Sequence, residues 1–258
     1  MPHISQYAFL IEVLLGELGK YFALLLFSIL AIRFWKNARR VSAPRKPKAY
    51  VFAGVATVIA CGIGYASFRH SMSRLYSYYG MEAFQSGNVQ SALSLFETSA
   101  RYWQNADAIG GAGVCIMRLN NGEAGNQLLA EAKRMRKGEN TPFEQFNQGV
   151  CYFAAGKFDA AVPLLESSSM DPQYEWRVTK ILCVITLETN GVPLAADLMK
   201  PFAAAEVLEP DHAYINARLD LAAGHTNEAR ILVEKFDTPD CPPLFKGRLD
   251  NLRAQLTN

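Results

Sequence analysis

Residues 156–161 read GKFDAA, and the spacing of small residues around this stretch decides the fold. Ala161 lies five positions after Gly156, and Gly149 lies seven positions before it. The arrangement recurs along the chain. Its central residue is always glycine or asparagine, at intervals of 33, 36, 34 and 34 residues: Gly87, Asn120, Gly156, Asn190 and Gly224. A period of this length is typical of repeat proteins, so the sequence predicts a stack of similar units.

The positions that flank each central residue are small in every unit. Seven residues before it lie Gly80, Gly113, Gly149, Cys183 and Ala217, and five residues after it lie Ala92, Gly125, Ala161, Ala195 and Ala229. Glycine and asparagine suit the left-handed backbone at a helix C-terminus. Two helices approach closely only where neither carries a bulky side chain at the contact. Each unit is therefore predicted to be an antiparallel helix pair, filled by one large apolar residue: Phe96, Leu129, Leu165, Met199 or Val233.

This pattern resembles the tetratricopeptide repeat (TPR) family, whose units have about 34 residues. The resemblance covers roughly residues 73–238, and single units are degenerate, since the family's fourth-position tryptophan is Tyr76 in the first unit and unrelated residues in the others. It implies an all-α fold with a solenoid of about five helix pairs. A C-terminal amphipathic helix, with Leu244, Leu249, Leu252 and Leu256 on one face, is predicted to close the stack.

Two apolar segments precede the repeats. Residues 49–68 carry no charge, and at 1.5 Å per residue 20 positions match a hydrocarbon layer of roughly 30 Å. An earlier segment, about residues 19–35, has a shorter apolar core between Lys20 and Arg33. We expect both to span a membrane. A buried helix of a soluble protein is the alternative for the second segment, and a cleaved signal peptide for the first, although there the basic residues follow the apolar run.

These segments define a predicted membrane hairpin, residues 1–68, ahead of a solenoid domain, residues 69–258. The hairpin carries eight Lys/Arg and two acids, net +6, whereas the rest carries 18 Lys/Arg and 22 acids, net −4. A run of cations lies in and beside the loop 36–48, which the positive-inside trend assigns to the cytoplasm. The solenoid would then be periplasmic, at a bacterial inner membrane. Such a run can also bind nucleic acid, but between two spans it more simply marks topology, so lipid and not nucleic acid is expected.

Small residues on the second apolar helix suggest how the hairpin packs. Ala56, Ala60 and Gly64 fall at four-residue intervals on one side of it. Such a row lets another helix approach closely in a membrane. We predict that it packs against the first span.

The TPR resemblance implies a concave surface lined by the first helix of each pair. The residues expected there are Met81, Phe84, Gln85, Val114, Met117, Arg118, Phe143, Phe146, Val150, Phe153, Val184, Leu187, Tyr214, Arg218 and Leu221. This groove is mostly apolar and lacks the lysines and asparagines with which well-known TPR clamps hold acidic peptide ends. An amphipathic helix or apolar tail of a partner suits it better. Alternatively, Phe146 and Val150 pack inside the solenoid because the helix phase is one residue off.

No catalytic or metal-binding site is predicted, and no cofactor is expected. The five cysteines include no CxxC pair, and no histidine has a second ligand at helical spacing. A disulfide between Cys115 and Cys151 is conceivable, but equivalent helices in neighbouring units lie roughly 10 Å apart, too far for the bridge. Nothing assembles a nucleophile, a base and an oxyanion site, so the chain is not expected to be an enzyme.

The sequence thus predicts a membrane-anchored TPR scaffold or assembly factor that binds a partner protein of an envelope complex through an apolar groove. The alternative is an intrinsic accessory subunit of a large membrane enzyme or of a secretion or export complex. The layout is similar to accessory subunits of cytochrome c maturation and of Pel-type exopolysaccharide export. This similarity concerns architecture and does not choose between the two.

Overall fold

The computed structural model describes residues 22, 25–40, 46–202, 209–236, 241 and 243–257, and no strand occurs among them. The start of the first predicted span, residues 19–21, lies outside the described residues. So do residues 41–45 of the predicted basic loop. The prediction of an all-α chain is confirmed over the described ranges.

Twelve helices occur in the described part of the chain. Helix α1 covers residues 25–40. The others are α2 Lys46–Gln85, α3 Val89–Tyr102, α4 Ala106–Arg118, α5 Gly122–Met135, α6 Pro142–Ala154, α7 Phe158–Ser168, α8 Pro172–Glu188, α9 Val192–Met199, α10 Pro210–Ala222, α11 Thr226–Lys235 and α12 Pro243–Thr257. Contacts pair α2 with α3, α6 with α7, α8 with α9 and α10 with α11, and α12 follows as the predicted closing helix.

The chain divides into two compact units, Met1–Cys115 and Ile116–Asn258. The residues on either side of the predicted boundary, 68 and 69, both lie inside α2, which is one helix of 40 residues. The apolar segment 49–68 runs without a break into the first helix of the first repeat. The change in composition at this point is therefore not a break in the backbone.

In the first unit, α1 contacts α2 through Trp35. Its indole Nε1 donates a hydrogen bond to Thr57 Oγ1 at 3.1 Å, and its ring lies 5.7 Å from the ring of Tyr50. On α1 and α2 the described buried alanines are spaced seven residues apart, at Ala31 and Ala38 and at Ala53 and Ala60. Of the predicted small-residue row, Ala60 is buried, whereas Ala56 and Gly64 are half-buried.

The five predicted helix ends are confirmed. Each central residue has a positive φ, of 83° at Gly87, 67° at Asn120, 70° at Gly156, 65° at Asn190 and 85° at Gly224. After each one, the next N–H donates to the carbonyl five residues back, as from Lys157 to Tyr152 at 2.9 Å and from His225 to Asp220 at 2.8 Å. This is the Schellman ending, which satisfies carbonyl groups that a helix terminus leaves free.

The repeated small residues allow close contact between helices, as at Gly80 and Gly149. All ten are buried, as are the five large apolar residues that follow them. A Cβ atom on Gly149 would lie 2.8 Å from Leu165 Cγ, and one on Gly80 would lie 3.0 Å from the Phe96 ring. The large residue of the second helix therefore occupies the space that the missing side chain leaves on the first. This explains the spacing around GKFDAA.

Candidate partner-binding cleft

A cleft of about 960 Å³ opens in the second unit, and we call it the main cleft. Its walls come from α4, α6, α8, the start of α10 and the start of α12. One side is apolar, and it is lined by Met117, Phe146, Val150, Ile181 and Phe245. The other side is charged, and it is lined by Arg118, Arg177, Lys180, Glu209 and Asp211.

Four of the predicted groove residues line the main cleft: Met117, Arg118, Phe146 and Val150. Three others, Leu187, Tyr214 and Arg218, line a smaller cleft of about 340 Å³ beside α12. In the first unit Met81 and Phe84 are half-buried and Gln85 is exposed, whereas Val114 is buried. Phe143 and Leu221 are half-buried in the second unit.

Four predicted groove residues, Val114, Phe153, Val184 and Leu187, are fully buried. For Phe153 the reason is plain, because Arg248 of α12 covers its ring. Phe146 and Val150 lie partly where the alternative placed them, inside the solenoid. Both belong to the hydrophobic core, where Phe146 stacks on Tyr174 with ring centroids 4.9 Å apart, and both also reach the cleft wall.

Helix α12 lies against the first helices of three pairs. The Arg248 guanidinium is 4.7 Å from the ring centroid of Phe153 on α6, and its Nε donates to Glu188 Oε1 on α8 at 2.5 Å. Leu249 and Leu252 are buried in the core. The closing helix therefore fills part of the groove that the sequence analysis expected to be open, and the main cleft is what remains beyond Phe245.

The charged side of the main cleft is organised by Lys180. This side chain is buried, forms an ion pair with Glu209, and lies 2.7 Å from Asp211 Oδ2. Its ammonium also lies 5.1 Å from the ring centroid of Trp176. A buried ammonium is stable only when its charge is compensated, so these contacts fix the start of α10 against α8.

The ion pairs shift the protonation of their neighbours. A hydrogen bond from Lys180 lowers the pKa of Glu209, so its carboxylate stays ionised. Burial and, next, the charge of Lys180 lower the pKa of His212, whose ring meets Trp176 edge-on at 5.3 Å. His212 is therefore neutral at pH 7. Three cations and two carboxylates leave the charged side with a net charge of +1.

Sequence reasoning missed the Lys180 cluster. Lys180 and Glu209 are 29 residues apart on different elements, and no periodic pattern joins them. The available signals were weak: an aromatic residue four positions before a lysine, and two acids flanking a proline at a helix start. Each is common on exposed helices, where it has no such role.

Burial suppresses the reactivity of three cysteines, Cys115, Cys151 and Cys183. No described cysteine forms a disulfide, and this includes Cys115 and Cys151 of the conceivable bridge. Burial raises the pKa of Cys115 and of Cys183 to about 12, and burial also raises the pKa of Cys151. These three thiols stay protonated, and the thiolate is the nucleophile. Among the described residues, no group of three His, Cys, Asp or Glu side chains could hold a metal ion.

Comparison with known proteins supports the fold. No family model matches the chain, and no curated protein matches it. The solved structure of Pseudomonas aeruginosa PilF is similar, with a TM-score of 0.55 and 18% identity over 73% of this chain and 84% of that one. A tetratricopeptide repeat protein from Parabacteroides merdae ATCC 43184 aligns with a TM-score of 0.48 and 10% identity over 96% and 98%. At 18% identity the likeness to PilF concerns the fold alone.

Proposed function

We propose that the chain is a membrane-anchored scaffold or assembly factor that binds one helical segment of an envelope-complex protein in the main cleft. The observation that carries this proposal is the pairing of an apolar wall, Phe146, Val150 and Phe245, with a charged wall around Lys180. An amphipathic helix presents matching apolar and charged sides.

The charges of the cleft favour a particular kind of helix. The carboxylates of Glu209 and Asp211 are already paired with Lys180, whereas Arg177 is exposed on the rim. Arg118 donates a hydrogen bond to Asn147 Oδ1 at 3.0 Å and adds a second cation at the wall. Acidic residues along the edge of the partner helix would complement these arginines and speed association.

The membrane anchor is supported by the surface of α1 and α2. Among the described residues from Leu25 to Phe68, sixteen large hydrophobic side chains are exposed. By length and composition one described helix, over Pro47–Gln85, could cross a membrane, and only 11% of its most apolar window is buried. A core helix of a soluble protein would be mostly buried. In water the exposed residues would form an apolar surface far larger than soluble monomers carry, and a bilayer removes that cost.

Site-specific photo-crosslinking of the full chain in its native membrane tests the docking site. A photoreactive residue at Ala154, exposed at the rim of the main cleft, should crosslink one partner, and the same residue at exposed Glu166 on α7 serves as control. Adding Arg177→Glu should reduce the product at Ala154 at least about tenfold, because it places a like charge beside the acidic helix. Equal products at both positions would refute docking in the cleft.

The behaviour of the crosslinked partner in detergent separates the two roles that the sequence allows. An assembly factor should dissociate or be recovered below a fixed ratio. An intrinsic subunit should copurify at a constant ratio with the other chains of its complex.

A further inference from the structure

We infer that the first repeat rests on the lipid headgroups through an aromatic and basic surface at the junction of α2 and α3. This surface, the collar, consists of Tyr65, Phe68, Arg69, Tyr102 and Trp103. The inference rests on the proposed membrane anchor and adds a second lipid contact, made by the repeat itself.

The collar lies at the height where α2 would leave the hydrocarbon. Arg69 is the first charged residue after the uncharged segment 49–68, whose 20 residues span roughly 30 Å as a helix. The Arg69 guanidinium lies 5.7 Å from the ring centroid of Tyr65. At the other end of the segment Trp35 pairs with Tyr50. Tryptophan and tyrosine concentrate at both interfaces of a bilayer, because their rings are apolar and their edges are polar.

The end of α3 is held at the same height. Arg69 donates a hydrogen bond to the Arg101 carbonyl oxygen at 2.6 Å. The ring of Tyr102 meets that of Phe68 edge-on at 6.4 Å and stacks on Tyr76 at 5.5 Å. These contacts join residues about 30 positions apart in sequence, on the two helices of one pair. If α2 crosses the bilayer, Tyr102 must lie at its surface.

Trp103 is fixed beside it. Its carbonyl oxygen accepts a hydrogen bond from Ser73 Oγ at 3.1 Å, and its ring meets that of His70 edge-on at 5.8 Å. Yet 42% of Trp103 is exposed, as are 50% of Phe68 and 65% of Tyr65. Rings held rigidly and left exposed at one height are suited to the interfacial layer.

The charge of the collar identifies the lipid chemistry. Residues 65–76 and 101–105 contain three arginines and no acid. Arginine pairs with phosphate groups, and a basic surface next to a bilayer is attracted to anionic lipids. The partner of the collar is therefore the phosphate layer of an anionic membrane.

The three tryptophans of the chain, Trp35, Trp103 and Trp176, allow a direct test. The full chain is reconstituted in vesicles of phosphatidylcholine and phosphatidylglycerol whose acyl chains carry bromine near the headgroup or near the bilayer centre. Trp35→Phe with Trp176→Phe leaves Trp103 as the reporter. Bromines near the headgroup should remove roughly half of its emission, and central bromines much less, because an interfacial ring touches only the former.

Two matched variants complete the test. A chain that retains Trp176 alone should be unquenched, and a chain that retains Trp35 alone reports insertion of the anchor. Quenching of Trp35 without quenching of Trp103 would overturn the collar and leave the anchor standing. Absence of quenching at Trp35 would overturn the anchor itself. Stronger quenching of Trp103 by central bromines than by headgroup bromines would also overturn the collar. So would a Trp103 ring that is shielded from solvent only in native membranes, which contain other proteins, and not in the lipid vesicles.

Unfolding of a variant would not block the test. If Trp176→Phe disturbs the helix content, Trp35→Phe alone gives the same comparison, because Trp176 then adds a constant emission. Circular dichroism checks each variant before reconstitution.

Discussion

The guanidinium of Arg248 lies 4.7 Å from the ring centroid of Phe153, and it also bonds both carboxylate oxygens of Glu188 at 2.5 and 3.2 Å. One side chain thus joins α12 to α6 and to α8. The last helix does more than cover the end of the stack: it occupies the groove and sets how much of it stays open as the main cleft.

Arg248→Ala should loosen α12. The change removes a cation–π contact and leaves the half-buried carboxylate of Glu188 without its partner, so we expect a loss of about 1–3 kcal/mol in the free energy of unfolding. Urea denaturation measures it, and hydrogen exchange of α12 amides should accelerate more than that of α7. Lys246→Ala, at an exposed position of α12, is the control. Equal effects of the two variants would contradict the role of Arg248.

Gly149→Ala should destabilise the third helix pair. The new Cβ would lie 2.8 Å from Leu165 Cγ, and crowding of this kind costs about 1–3 kcal/mol. Gly247→Ala is the control, because nothing lies within 4 Å of its Cβ position. There alanine should stabilise α12 by roughly 0.5–1 kcal/mol. A double variant with Leu165→Val should recover part of the loss, and a purely additive result would argue against direct contact.

Phe153→Glu should unfold part of the second unit, because the fully buried ring would be replaced by a charge with no partner. Arg177→Glu, at the exposed rim of the main cleft, should leave helix content unchanged and weaken partner binding. Far-ultraviolet circular dichroism measures the helix content of the two variants. Retained helicity in Phe153→Glu would mean that α12 can leave the groove.

His212 should make stability depend on pH. Since its pKa is lowered in the folded chain, the unfolded chain takes up a proton first, so stability falls as pH drops through the ordinary value of 6.5. The groups that face it are Lys180, Glu209, Asp211 and Trp176. His212→Gln should flatten the melting temperature between about pH 7 and 5.5. The exposed His225→Gln is the control, and a flat wild-type profile would contradict the prediction.

The helix ends and crossings could be predicted from sequence because each is a local requirement. A left-handed residue at Asn120 or Gly156 needs asparagine or glycine, and a close crossing needs a small residue such as Ala161. The same Schellman ending at Lys137, with a φ of 59°, went unpredicted, because it lies outside the 34-residue period.

The site was less predictable because it depends on contacts between distant residues. The position of α12 is set by Arg248 meeting Glu188, 60 residues earlier. The leucine spacing of α12 predicts which of its faces is buried, but not which helices it packs against. Likewise the change of composition after Phe68 suggested a domain boundary, although the helix continues.

The continuity of α2 fixes the rotation of the first repeat about the helix axis. Because α2 has no linker between the apolar segment and the first repeat, the number of residues between them fixes the direction in which the repeat projects from the helix axis. One inserted residue ahead of Ser71 would turn the repeat by about 100° relative to α1, and seven inserted residues would bring it back to within about 20° of its original direction. The apolar part of α2 therefore sets the direction in which the first repeat points.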